Sequence, residues 1–365
     1  MIAAGCDRST SAENSAAGAD TLYIGVAASR AQTNIGYFQG VELALAHLNA
    51  ARPRNAAPLG LRIPLQDQTS QVRVAAAFRD DPTVIGVVGH TGSAQTMEAA
   101  PIYGDVEHGG RNAVVAVTPT ATNPLVTKSG DWVFRVCPTD LDAAGALADY
   151  IADSVRARRV AVIYRNDLFG RGFSRTLGAR LNAKGVQLIE RDPYLAGITT
   201  YSAYLRRIAT RNVDALVVAG GGTDAADMIR ALRATRARPA VLGSDDLASL
   251  ASTPEIAAEF RGVRYTTFYL PGGSDSSAAA ARRFEQDYRA RFGQPPTPQA
   301  ALSYDAAIVI GRAAMSAGRD RRRVRDAVAA TGRGGTAYHG VTGTIRFDEQ
   351  GDAIGKNVAI VEVRP

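Results

Sequence analysis

A chain of 365 residues, 46% hydrophobic and 21% charged, has ordinary globular composition and enough length for one large or two ordinary cores. Its formal net charge is +7, but only three of its 42 basic residues are lysines (Lys128, Lys184 and Lys356) and the arginines run along the whole chain. The charge therefore reads as codon bias, with no nucleic-acid footprint. No stretch approaches the roughly 20 apolar residues that a transmembrane helix needs.

Cys6 follows the small-residue run 2–5 (IAAG), which resembles the end of a bacterial lipoprotein signal whose cysteine becomes the lipidated first residue. The charged and apolar parts of such a signal are missing upstream, which makes Met1 an artificial or misassigned start. Residues 7–20, rich in Ser, Ala, Gly and Asn, read as a flexible tether. The alternative is an ordinary tail with a chance cysteine. The other cysteine, Cys137, sits at the end of an apolar strand and is expected to be a buried thiol.

From residue 22 onward, strands and helices alternate. Apolar runs predict strands over 22–27, 61–65, 84–88 and 114–117, with helices over 36–49, 72–79 and 96–103 between them. A second series follows Pro138: helix 143–154, strand 160–164, helix 174–184, strand 186–190, helix 202–210, strand 215–218, helix 225–235 and strand 240–242. Helices over 277–292 and 298–317 come next, and 343–363 reads as strand, turn, strand. Alternation at this pitch gives an α/β fold with parallel sheets built from βαβ units, in two Rossmann-like lobes. The basic cluster 319–325 (RDRRRVR) reads as a solvated helix face or a contact surface.

Two loops carry the functional signal. The strand 114–117 runs into TPTATNP (118–124), and the strand 84–88 runs into GHTGSA (89–94). Hydroxyls and free N–H groups at the carboxyl ends of parallel strands suit a carboxylate. With FRVCPTD (134–140), VAVIYRNDLFG (160–170) and GTIRFDEQG (343–351), these segments follow one another in an order that resembles the type I periplasmic binding proteins, in particular the branched-chain amino-acid (Leu/Ile/Val) receptors of ABC transporters. The resemblance covers roughly residues 20–365.

The resemblance implies two lobes with parallel sheets joined by a three-stranded hinge, crossing near 137–139, 266–269 and 340–344. After a signal remnant and tether over 1–20, the N-terminal lobe takes 21–137 with 270–341 and the C-terminal lobe 138–268 with 344–365. It also implies a site. Ser93, Ala94, Ala121 and Thr122 would receive a ligand α-carboxylate and part of its ammonium, Phe169 would form a ring wall, and Asp245 of GSDD (243–246) would meet the ammonium, with Asp246 close behind. The family's second aromatic falls in Gly220, Gly221 and Gly222, where side-chain contact is lost and the backbone is free to approach the ligand. Read alone, Ser93 and Thr122 are better taken as helix N-caps, and Asp245 is equally well an exposed turn residue; together and in this order the ligand reading prevails for Ser93 and Thr122. Arg30 reads as solvent-facing, Ile35 as an aliphatic position that is aromatic in some relatives, and Tyr201 and Tyr204 as packing residues; Tyr304 and Asp305 are left without a role.

The implied partners are a small ligand (an amino acid or small carboxylate) and an ABC permease. A monomeric chain outside the cell membrane, held to it only by a lipid, is implied as well. A sensing domain that reports to a signalling partner is the alternative. No cofactor is expected, nor a metal or nucleic acid. His47, His90, His108 and His339 are scattered, with no HxxxH, CxxC or GxxxxGK pattern, so an enzyme is not expected.

Overall fold

The computed structural model describes residues 21–31, 34–63, 70–198, 200–273 and 277–365. Cys6, the tether over 7–20 and the predicted end of the second strand at Leu65 lie outside the described residues.

The first sheet is wholly parallel, in the order β2-β1-β3-β4-β5, from β1 (Leu22–Ala27), β2 (Leu59–Arg62), β3 (Val84–Gly89), β4 (Val115–Thr118) and β5 (Val133–Arg135). Strand β3 is buried along its whole length because helices cover both faces, and this is why its sequence is continuously apolar. On one face lie α2 (Gln71–Asp80) and α3 (Ser93–Tyr103), packing Phe78 and Tyr103 against Val84, Val87 and Ala116. On the other lie α1 (Ile35–Ala51) and the late helices α10 (Pro298–Ala317) and α11 (Arg321–Ala329), against Ile24, Ile85 and Val115. Helices α1 and α10 approach closely at Gly40, where a Cβ would strike the Ala300 carbonyl.

The second sheet runs β13-β10-β9-β8-β6-β7, from β6 (Arg159–Arg165), β7 (Gln187–Tyr194), β8 (Ala215–Ala219), β9 (Ala240–Gly243), β10 (Arg264–Thr267) and β13 (Ala359–Glu362). Only β13 is antiparallel. Alternate residues point to opposite faces. Val160, Val162 and Val217 meet Leu147, Phe173 and Leu177 of α4 (Asp140–Tyr150) and α5 (Leu168–Ala183), while Ile163, Leu216 and Val218 meet Leu205 and Ile229 of α6 (Ser202–Thr210) and α7 (Gly222–Arg233). The short α8 (Pro254–Glu259) precedes β10, and α9 (Ala278–Phe292) returns to the helices of the first sheet. Cys137 is a buried thiol, as expected.

Helix starts differ from the sequence reading. Helix α5 begins at Leu168 because the Asp167 side chain caps it, accepting from the Gly170 N–H at 2.8 Å. Helix α4 begins at Asp140 behind a capping box of Thr139 and Asp142. The basic cluster also departs from a solvated face. Arg321 folds its guanidinium under the first sheet and donates to the carbonyls of Arg79 (2.7 Å), Asn112 (2.7 Å) and Val84 (2.8 Å), while Arg322 and Arg323 are exposed.

Strands form at both ends of 343–363, as expected, but they do not pair with each other. β12 (Gly343–Ile345) pairs with β11 (Tyr338–Gly340). The chain then stays against β5: the Arg135 N–H donates to the Gly351 carbonyl at 3.0 Å, and the Ala353 N–H to the Arg135 carbonyl at 3.2 Å. Phe347 packs edge-on against Phe134, with centroids 5.2 Å apart. The chain therefore joins the second sheet beyond Ile354 and not at 340–344. Asp305, given no role by the sequence, organises this region. It is fully buried on α10 and accepts from the N–H groups of Val341 and Thr342, each at 2.9 Å, and from the Thr342 hydroxyl. Lys356 donates to the Thr342 carbonyl and hydroxyl, each at 2.7 Å.

Candidate functional site

A cleft of about 310 Å3 opens where the carboxyl ends of β3 and β4 face those of β6 and β9. Thr91, Gly92, Ser93, Ala94, Gln95, Thr120 and Thr122 line one side; Arg165, Asp167, Leu168, Phe169, Asp245 and Asp246 line the other. Of the expected site residues, Ser93, Ala94, Thr122, Phe169 and Asp245 come together here.

The first wall is a set of hydroxyls fixed by their own hydrogen bonds. Gly92 is the N-cap residue of α3, so Ser93 and Ala94 fall in its first turn, whose N–H groups have no intrahelical acceptor. The Ser93 Oγ accepts from the Asn123 N–H at 3.2 Å, which ties the two loops together and leaves its hydrogen to donate elsewhere. The Thr120 hydroxyl donates to the Thr91 carbonyl at 2.8 Å, and the Thr118 hydroxyl to the His90 carbonyl at 2.6 Å. His90 lies between Gln71 (2.7 Å) and the Tyr103 hydroxyl (2.9 Å), and burial lowers its pKa to about 4, so its ring is a neutral strut.

Two expectations on this wall need correction. Ala121 does not line the cleft. It is buried with Ala100, Val126 and Val133, and its carbonyl is occupied by Arg135 Nη1 at 3.1 Å; its neighbour Thr120 stands in the wall. Thr122 caps no helix and lies in an extended loop, where its carbonyl accepts from the Asp140 N–H at 2.8 Å.

The second wall is acidic. Asp167 pairs with Arg165 through Nε while capping α5. Asp245 and Asp246 follow β9 in a short helical turn. Burial, and then the charges of Asp246 and Asp140, push the Asp245 carboxyl well above the usual carboxylate range. Burial raises Asp246 to about 6 against the lowering effect of Arg165. Asp140, at 1% exposure, is raised to about 7, chiefly by burial. Neither of its carboxylate oxygens completes a hydrogen bond of good geometry, although the Thr122 hydroxyl and Arg135 favour its charged form. Phe169 is half-buried, its ring 5.7 Å from that of Phe173, and Asn123 Nδ2 donates across the cleft to the Leu168 carbonyl at 3.3 Å.

Gly221 and Gly222 are not in the cleft wall, because protein groups already occupy the space that their missing side chains leave. A Cβ on Gly220 would strike the Tyr194 hydroxyl, one on Gly221 would lie 3.2 Å from Arg165 Nη1, and one on Gly222 would strike the Ser249 hydroxyl and lie 2.9 Å from the Asp246 carbonyl. The triple glycine thus admits Tyr194 and Arg165 and lets the Asp246 loop sit down. Arg165 and Asp167 were missed by the sequence reading. Their signal is a charged pair, R-x-D, directly after the buried run Val160–Tyr164 of β6. Arg30 is exposed and Ile35 is 41% exposed, whereas Tyr201 packs on Tyr194 and the Tyr204 hydroxyl donates to the Pro193 carbonyl.

Comparison with known proteins agrees with this architecture. An "amino acid binding protein" of Pseudomonas aeruginosa is 28% identical over 67% of the chain, a match spanning 64% of that protein's own length. A "Leu/Ile/Val-binding protein homolog 1" of Brucella suis is 26% identical over 86% of the chain and 81% of that protein. The crystal structure of a leucine binding protein from Thermotoga maritima superimposes with a TM-score of 0.79 at 26% identity, covering 94% of this chain and 95% of that one. The family described as "Periplasmic binding protein" matches residues 24–365, and the chain belongs to it.

Proposed function

We propose that the chain is the extracytoplasmic substrate-binding protein of an ABC importer, and that it holds one amino acid in the cleft between its two sheets. The observation that carries this reading is the pairing of opposite chemistries across 310 Å3: hydroxyls and a helix N-terminus on one wall, three carboxyls with a single guanidinium on the other. An α-carboxylate docks against Ser93, Thr122 and the first turn of α3, where charge-assisted hydrogen bonds and the positive end of the helix dipole favour it. The α-ammonium meets Asp245, and Phe169 with Leu168 flanks the ligand's carbon chain. Relatives named for amino acids or for Leu, Ile and Val support the class of ligand.

The work of such a site is binding and not catalysis. A ligand that touches both walls stabilises the arrangement in which the walls are close, and so shifts an open–closed equilibrium. The lobes, 21–137 with 270–354 and 138–268 with 355–365, move as units about the crossings, and a membrane permease then recognises the closed, loaded form. The protein acts as a monomer on the outer side of the cell membrane, tethered by a lipid on Cys6. A thermal-shift panel of amino acids tests the reading: a ligand present at about 100 times its dissociation constant stabilises the protein by roughly 2.7 kcal/mol. If no amino acid raises the unfolding temperature, the reading fails.

A further inference from the structure

The acidic wall contains more charge than an ordinary amino acid neutralises. Asp167, Asp245 and Asp246 line the cleft with a single cation, Arg165. That guanidinium is already committed: its Nε pairs with Asp167, and its charge also stabilises Asp246. Behind the wall, Asp140 adds a fourth carboxyl at 1% exposure with no completed hydrogen bond. Arg135, whose charge acts on Asp140, is bound to Asp352 and to the carbonyls of Ala121 and Asn123. A zwitterion supplies one ammonium to this wall and sends its carboxylate to the other. Carboxyls outnumber cations on this wall by three to one, and the single ammonium of a zwitterion meets only one of them.

The apolar lining is meagre in turn: only Ala94, Leu168 and Phe169 offer hydrocarbon, too little to enclose a branched aliphatic side chain. A metal ion is a poor substitute, because no group of three or more His, Cys, Asp or Glu residues has metal-holding geometry among the described residues.

We infer that the ligand is a cationic amino acid, whose side chain ends in a second positive group held between Asp246 and Asp167. The inference rests on the proposed amino-acid site and narrows its ligand. Arg165 then has a positioning role: it fixes Asp167 through Nε and its charge favours the Asp246 carboxylate, with the methylenes of the ligand passing over Phe169. Burial raises both acids towards their neutral forms, and a second cation in the cleft favours their charged forms.

The test compares amino acids that differ only by the terminal ammonium, L-lysine against L-norleucine and L-ornithine against L-norvaline, by calorimetry on the intact chain at pH 7.5. The cationic member of each pair is expected to bind at least about tenfold tighter. Asp167→Asn and Asp246→Asn should narrow that gap, with circular dichroism reporting the fold, and a gap unchanged in both variants overturns the inference. Norleucine binding as tightly as lysine, or L-glutamate binding tightest, overturns the inference and leaves the amino-acid site standing. Binding of no amino acid overturns both.

Discussion

Replacing Ser93 by alanine separates two roles that one hydroxyl plays in this cleft. Its Oγ accepts the Asn123 N–H at 3.2 Å, and the pair is buried. Alanine leaves that N–H without an acceptor, at a cost of about 1–3 kcal/mol in the folding free energy. The same hydroxyl donates its hydrogen to the ligand carboxylate, and a hydrogen bond to a charged group contributes roughly 1.5–3 kcal/mol. Since about 1.4 kcal/mol is a factor of ten, affinity should fall roughly 10- to 150-fold. Urea unfolding without ligand measures the first effect, and calorimetry with the tightest-binding amino acid measures the second. A variant that loses stability but keeps its affinity would refute the carboxylate role and reduce Ser93 to a tie between two loops.

Asp245→Asn should weaken amino-acid binding by about 2–5 kcal/mol, because an ammonium is left facing a neutral amide, and the same assay should find a smaller effect for Asp246→Asn. Asp140 makes the ligand-free protein pH-sensitive. Its folded pKa of about 7 lies above the unfolded value near 3.9, so between those limits the folded chain holds a proton that the unfolded chain has lost. Its contribution to stability thus falls as pH rises through that window, and the penalty is complete above pH 7. Asp140→Asn should stabilise the empty protein at pH 8 by on the order of 1–3 kcal/mol and by much less at pH 5, as read from urea midpoints. Equal effects at both pH values would contradict the burial argument. Asp305→Asn puts a donor where two N–H groups and a hydroxyl converge and should cost about 2–4 kcal/mol of stability, with an unchanged urea m-value.

The strands were legible because helices cover both faces of each sheet, so runs such as 84–88 and 215–218 stay apolar at every position. Helix starts were less so. Leu168 and Asp140 enter their helices through side-chain caps at Asp167 and Thr139, polar residues that otherwise read as loop. In the site, the loops after β3 and β4 were legible as hydroxyl-bearing turns, but register within them was not. Thr120 and Ala121 differ by one position, and Arg135, 14 residues away in sequence, is what turns the Ala121 carbonyl inward. The triple glycine was visible, but its occupants, Tyr194 and Arg165, come from other strands and leave no trace beside it. At the end of the chain the two strands were legible and their partners were not: β12 finds β11 and β13 finds β10.

The central claim is that the cleft reads both ends of an α-amino acid. Calorimetry of the intact chain tests it, with the best-binding L-amino acid set beside the same molecule lacking its α-amino group. The account predicts one site per chain for the amino acid and affinity lower by at least about thirtyfold for the deaminated compound, since an unpaired charge at Asp245 costs 2 kcal/mol or more. Equal binding of the two compounds would contradict it.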